Sequence, residues 1–123
     1  MPVRTHYEGE KLKISSWHEN SEKLEWLEDW FRENVTPQGI REVAITLRHY
    51  CKHGLPRNNI QKFRHIEGKL CEIKKGQIRL LGREFKNEFC IVDAKIKKKN
   101  NLSRRIIDNA LTLLGKCSNE RSS

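Results

Sequence analysis

Three short apolar runs stand back to back between residues 69 and 96, and they limit the folds open to this chain more than any other feature. They read KLCEIKK (69–75), QIRLLGREF (77–85) and EFCIVDAKI (88–96). Each is strand-length and rich in Ile, Leu or Val, and turn residues lie between them. Lys75-Gly76 and Lys86-Asn87 suit tight connections. The expectation is an antiparallel meander, which must bury an apolar face against something else. In the third run a period of two places Ile91, Asp93, Lys95 and Lys97 on one face. Cys90, Val92, Ala94 and Ile96 fall on the other. Lys95 and Lys97 are thus expected to point outward while the apolar set turns in.

On either side of the meander the period becomes helical. Residues 21–33, SEKLEWLEDWFRE, predict a helix capped by Ser21, with Glu22 and Glu25 in the first turn. Leu24, Leu27 and Phe31 form its stripe, with Trp26 and Trp30 alongside. Residues 35–56 predict a second helix. Thr36 is its cap, Pro37 fits its first position, and Gly54 with Pro56 ends it. Ile40, Val43, Ala44, Leu47 and Cys51 supply its apolar face. So few residues separate the two helices that they should form an antiparallel hairpin. Residues 103–114 predict a last helix, capped by Ser103 and stopped by Gly115. Residues 11–17 alternate weakly and read as one short strand. The expected fold is α+β: a small antiparallel sheet packed on an N-terminal helix hairpin and a C-terminal helix, in the order β-α-α-β-β-β-α. Its 123 residues are the size of one domain, with 117–123 read as a disordered tail.

Charge divides the chain. Residues 1–53 hold 8 Lys/Arg and 9 Asp/Glu, a balance of −1. Residues 54–123 hold 17 and 7, a balance of +10. A half this basic suits a polyanionic partner, because neutralising phosphates releases counterions. Lys74, Arg79, Arg83, Lys95 and Lys97 would converge if the strands pair in sequence, and together they could hold a phosphodiester. Lys98 and Lys99 extend the cluster past the last strand. Asp93, on the strand face of Lys95, is either a proton acceptor or a salt-bridge partner.

Other chemistries find little support. Four cysteines, Cys51, Cys71, Cys90 and Cys117, make no Cys-x-x-Cys, and Cys71 and Cys90 read as core residues. His49 and His53 have metal-ligand spacing without the flanking pattern of a zinc site, so no metal is expected. There is no Gly-rich phosphate loop and no serine-triad motif. No apolar run approaches the roughly 20 residues of a membrane span. A cytoplasmic, reduced protein is expected, with no membrane association.

The stretch from Leu70 to Ala110 resembles the RelE/HigB-like toxins of type II toxin–antitoxin systems, within the RelE/ParE superfamily. LCEIK is similar to that family's Leu-Trp-Glu-Leu-Arg run, and IRLL to its Tyr-Arg-Ile-Leu strand. IVDAKIKKKNNLSRRIIDNA is similar to its apolar strand, Lys-Lys pair and final helix. The resemblance implies a metal-independent endoribonuclease that cleaves mRNA at the ribosome and is silenced by a cognate antitoxin. It needs no cofactor, since the RNA 2′-OH can attack the adjacent phosphate. The carry-over reaches Arg79, which matches the family's strand arginine, Lys97 and Lys98, which match its Lys-Lys pair, and Lys74, where the family often has Arg. Joined to the residues read from charge and strand face, the catalytic candidates are Arg79, Lys97 and Asp93, and the RNA-binding ones are Lys74, Arg83, Lys95, Lys98 and Lys99. The chain departs from the pattern at Cys71 and Ile78, where the family has aromatics, at Asp93, where His is frequent, and at Lys95, where Phe is frequent. Fewer aromatics mean less surface for base stacking. Two other readings remain open. One is a toxin-fold protein that binds nucleic acid without cutting, or poisons another target such as gyrase. The other is a DNA-binding regulator using the 21–53 helices, which their −1 balance disfavours.

Overall fold

The computed structural model describes residues 2–97 and 102–122. It is α+β, with a six-stranded sheet and three helices. The strands are β1 (Val3–Glu8), β2 (Lys13–Trp17), β3 (Phe63–Glu67), β4 (Leu70–Lys75), β5 (Ile78–Phe85) and β6 (Glu88–Ile96). The helices are α1 (Trp26–Asn34), α2 (Pro37–His53) and α3 (Arg104–Ser122). Across the sheet the order is β1-β2-β6-β5-β4-β3. Every pairing is antiparallel except β2 with β6.

The expected meander is β4-β5-β6, joined by two-residue turns at Gly76-Gln77 and Lys86-Asn87. Gly76 (φ 59°) and Asn87 (φ 56°) supply the left-handed backbone these turns use. The strand order differs from expectation at both edges: two strands, not one, precede α1 and α2, and β3 adds a fourth after them. Each missed strand carries a bulge that breaks the period of two. Thr5 pairs with Ser15 and Tyr7 with Ile14, leaving His6 as an extra residue. His65 pairs with Cys71 and Glu67 with Leu70, leaving Ile66 extra. Phe63 packs in the core under α1 and α2 and Ile66 on the opposite side, so β3 offers one apolar residue to each face, too few to show an alternation.

A third bulge corrects the face assignment in β6. Leu81 pairs with Asp93 but Gly82 with Ile91, so Val92 is the extra residue. Alternation restarts there. Ile91 falls with Ala94 in the cluster under α1 and α2, not with Asp93. Val92 packs on the opposite side with Cys90, under α3. Asp93 and Lys95 share that α3 side, but Val92 does too. Gly82 is what lets the strands approach: a Cβ there would lie 2.0 Å from the Cys90 carbonyl oxygen.

Both faces of the sheet are covered. One core holds Ile14, Leu27, Val43, Leu47, Ile73, Leu80 and Ile91, with α1 and α2 packed on it. The other holds Trp17, Leu70, Leu81, Cys90, Val92, Ala110, Leu114 and Cys117 beneath α3. The expectation of one packed face and one free basic face is thus corrected. Strands buried on both sides read as nearly continuous apolar runs, as these do.

The caps of α2 are as expected: Thr36 Oγ1 accepts from the Gly39 N–H and Gly54 ends the helix. In the first helical segment Ser21 does not cap. Asn20 accepts from the Glu22 N–H and opens a 3-10 turn, and α1 itself begins at Trp26. Ser103 Oγ accepts from the Ile106 N–H at the start of α3. Gly115 does not stop that helix, which runs to Ser122, so residues 117–122 are helical rather than a disordered tail. Cys117 is fully buried, Glu120 accepts from the Trp17 indole, and Arg121 grips Glu88 with two hydrogen bonds of 2.8 and 2.9 Å. These contacts outweigh the helix cost of one glycine, roughly 1 kcal/mol.

Candidate nucleic-acid interface

The sheet face on which α3 packs also carries a basic row. Lys74 on β4 pairs with Arg79 on β5, and Arg79 with Lys95 on β6. Side chains of directly paired residues point the same way, with strands about 4.8 Å apart. The preceding row runs Arg64, Glu72, Leu81, Asp93 across β3, β4, β5 and β6. Lys97 follows Lys95 at the strand's exit, its N–H donating to the Gln77 carbonyl at 2.7 Å. Lys98 and Lys99 lie outside the described residues.

At the centre is a buried ion cluster. Glu72 is fully buried and Arg79 is 5% exposed. Arg64 Nε donates to Glu72 Oε1 at 2.7 Å. Arg79 Nε stands 3.6 Å from Glu72 Oε2, too far for a hydrogen bond, and neither atom has a hydrogen-bond partner. The guanidinium is instead held by the Gly76 and Ile78 carbonyls, at 2.8 and 3.2 Å from Nη1. Arg79 is therefore an anchor of the turn and a charge beneath the surface, not an extended arm. Arg64, Lys74, Arg79, Lys95 and Lys97 against Glu72 and Asp93 leave the patch at a formal +3.

Two groups on the patch have shifted titrations. Burial lowers the Lys74 ammonium, partly offset by Glu72. Burial raises the Asp93 carboxyl, opposed by Lys95 and by the Ala94 N–H that Asp93 Oδ1 accepts at 2.9 Å. Lys95 Nζ lies 3.9 Å from Asp93 Oδ2. Asp93 also lines a crevice with Trp17, His18, Trp26 and Leu113, between α3 and the end of β2.

The structure thus brings Lys74, Arg79, Lys95, Lys97 and Asp93 to one end of one face. Arg83 is separate. It shares the face but lies four residues further along β5, where Nη1 donates to Ser118 Oγ and the guanidinium stacks 4.2 Å over Phe85. It ties α3 to the sheet. Arg64 and Glu72 belong to the patch but were not assigned to it from sequence. Arg64 sits on a strand the period hid, and Glu72 looked like one meander carboxylate among several. His49 and His53 sit on an exposed helix end with ring centres 4.5 Å apart and planes tilted by 44°, and the described residues hold no cluster of three or more metal-ligating side chains. The four cysteines are free and buried. No described helix is long and apolar enough to cross a membrane.

The chain matches no protein-family model and no curated protein sequence.

Proposed function

We propose that this protein is the toxin of a toxin–antitoxin pair, a metal-independent endoribonuclease that cuts mRNA on the ribosome. The observation that carries the reading is the Lys74–Arg79–Lys95 row on the α3 face, with Lys74 and Lys95 partly exposed and Asp93 beside them. RNA phosphates would lie along that row. Asp93, its carboxyl raised by burial, would take the 2′-OH proton as that oxygen attacks the adjacent phosphate; the P–O5′ bond breaks, leaving a 2′,3′-cyclic phosphate and a 5′-oxygen that takes its proton from water. Lys95 and Lys97 would stabilise the charge that builds on phosphorus. Arg79 would add positive potential from below while holding the turn. An acidic or amphipathic antitoxin segment laid over the row would silence it by occupying the same charge. The cytoplasm is where such a pair would act.

A second reading, a protein that binds RNA or poisons another target without cutting, is favoured by the engagement of Arg79. Its guanidinium is committed to backbone carbonyls and to Glu72. The deciding experiment is expression in bacteria with mapping of new RNA 5′ ends, comparing the natural chain with Lys74→Ala/Lys95→Ala. Both lysines are partly exposed, so the variant should fold, whereas Arg79→Ala would remove one of the two counter-ions of the buried Glu72 and the side chain that holds the Gly76 turn. New ends inside reading frames, lost in the variant, are the expected result. A folded, expressed protein that generates none sinks the nuclease reading and leaves the binder.

A further inference from the structure

The crevice beside Asp93 has a volume of about 200 Å³. Trp26, Val92 and Leu113 give it apolar walls, and His18, Glu19 and Asp93 are its polar members. An apolar cavity of about 150 Å³ is enough to hold benzene, so a single planar ring fits here. The Trp26 indole N–H donates to the Trp17 carbonyl at 3.0 Å, which fixes that wall. Glu19 is paired with Lys116 at 3.2 Å.

His18 and Asp93 meet because of strand pairing. The parallel β2–β6 register ends with Ser16 opposite Ile91, and His18 and Asp93 stand two residues further along each chain. The Asn20 N–H donates to His18 Nδ1 at 2.9 Å, so the neutral ring carries its proton on Nε2. Among the described residues nothing accepts that proton, and His18 is only half-buried. Asp93 Oδ1 accepts from the Ala94 N–H, while Oδ2 accepts from no described residue and the side chain is 18% exposed. The slot thus has one open donor and one open acceptor at its edge.

Lys95 Nζ lies 3.9 Å from Asp93 Oδ2. Along the surface the order is therefore apolar slot with a donor, then carboxylate, then ammonium. One ribonucleotide presents its groups in the same order: base, 2′-OH, 3′-phosphate. We propose that this crevice is a base subsite, in which the nucleotide that supplies the attacking 2′-OH lays its base against Trp26 and Leu113 and accepts from His18 Nε2 through a ring acceptor. The assignment rests on the nuclease reading and adds what the basic row lacks, since phosphate contacts carry no information on the base. Only an unpaired base can enter, so the RNA at this point is single-stranded.

The test is titration of the full chain with each of the four ribonucleoside 3′-monophosphates, followed by amide and indole N–H shifts. These probes carry base, 2′-OH and phosphate but no following nucleotide to cleave. Ribose 5-phosphate, which lacks the base, is the comparison. At least one nucleotide should bind about fivefold or more tighter than ribose 5-phosphate, with shifts at His18, Leu113 and the Trp26 indole. His18→Ala should remove most of that margin and Leu113→Ala part of it, with ribose 5-phosphate binding unchanged in both. The same spectra show that each variant is folded. Nucleotides that bind no tighter than ribose 5-phosphate, with shifts confined to Lys74, Lys95 and their neighbours, would overturn the base subsite and leave the basic row as an RNA-backbone site. Tighter nucleotide binding with shifts that map elsewhere, or a margin that survives both substitutions, would also overturn it. Failure of all the probes to bind would remove the row along with the subsite.

Discussion

Gly82 and Glu72 show how single residues set the geometry of the basic row. Gly82 sits opposite Ile91 at the β6 bulge, where any side chain would collide with the Cys90 carbonyl. The obstacle is backbone, so it cannot rotate away. Gly82→Ala should cost about 1–3 kcal/mol, the usual range for overpacking, or more if the bulge is lost. A urea melt measures it. Glu72 is the counter-ion of Arg79 and Arg64 in a site closed to water. Glu72→Ala leaves Arg79 buried without its counter-ion and should cost about 3–5 kcal/mol. Replacing both, as Glu72→Met/Arg79→Met, should recover most of that loss. A double variant no more stable than Glu72→Ala would mean that the pair itself, not the stranded charge, holds this end of the sheet.

At the scale of elements, α3 carries the largest difference from the sequence reading. Helical period and the Ser103 cap announced its start, and Gly115 looked like its end. The last two turns instead bury Cys117 and bring Glu120 and Arg121 to Trp17 and Glu88. Deleting residues 116–123 should therefore unfold or strongly destabilise the protein by thermal melt, where a disordered tail would be dispensable. The α3 contact also titrates. Burial by itself would raise the Glu88 carboxyl, but hydrogen bonds from Arg121 and Ser15 and the charges of Arg121 and Lys13 hold it below its usual 4.5. A lowered folded pKa gives stability that is complete above the unfolded value and lost as pH falls through the folded one. Glu88→Gln should thus lower stability at neutral pH and flatten its decline in acid. Asp93, raised from 3.8 by burial, has the opposite sign. Its ionisation costs stability, so Asp93→Asn should melt higher at pH 7 and match the natural chain below about pH 3.

Over the whole molecule, the charge asymmetry resolves into position. The C-terminal half supplies β3, β4, β5, β6 and α3, and five of its 17 cations, Arg64, Lys74, Arg79, Lys95 and Lys97, come to one end of the α3 face. If single-stranded RNA lies there, log affinity falls with log salt by about 0.7 per phosphate neutralised. Removing Lys74 and Lys95 together should reduce that slope by about 1.4 in filter-binding titrations. An unchanged slope would move the RNA off this face.

The sequence by itself determined the meander, the helix α2 with its Thr36 and Gly54 caps, the start of α3 and the basic second half, because each is written in local period, cap chemistry or composition. The tertiary structure decided the rest. Bulges at His6, Ile66 and Val92 each insert one residue, and their effect on which side chain faces which core exists only once a partner strand fixes the register. The burial of Arg79 on Glu72, the departure of Arg83 to α3 and the continuation of α3 past Gly115 all depend on what packs across the sheet. Those are contacts between residues far apart in the chain, and no local pattern encodes them.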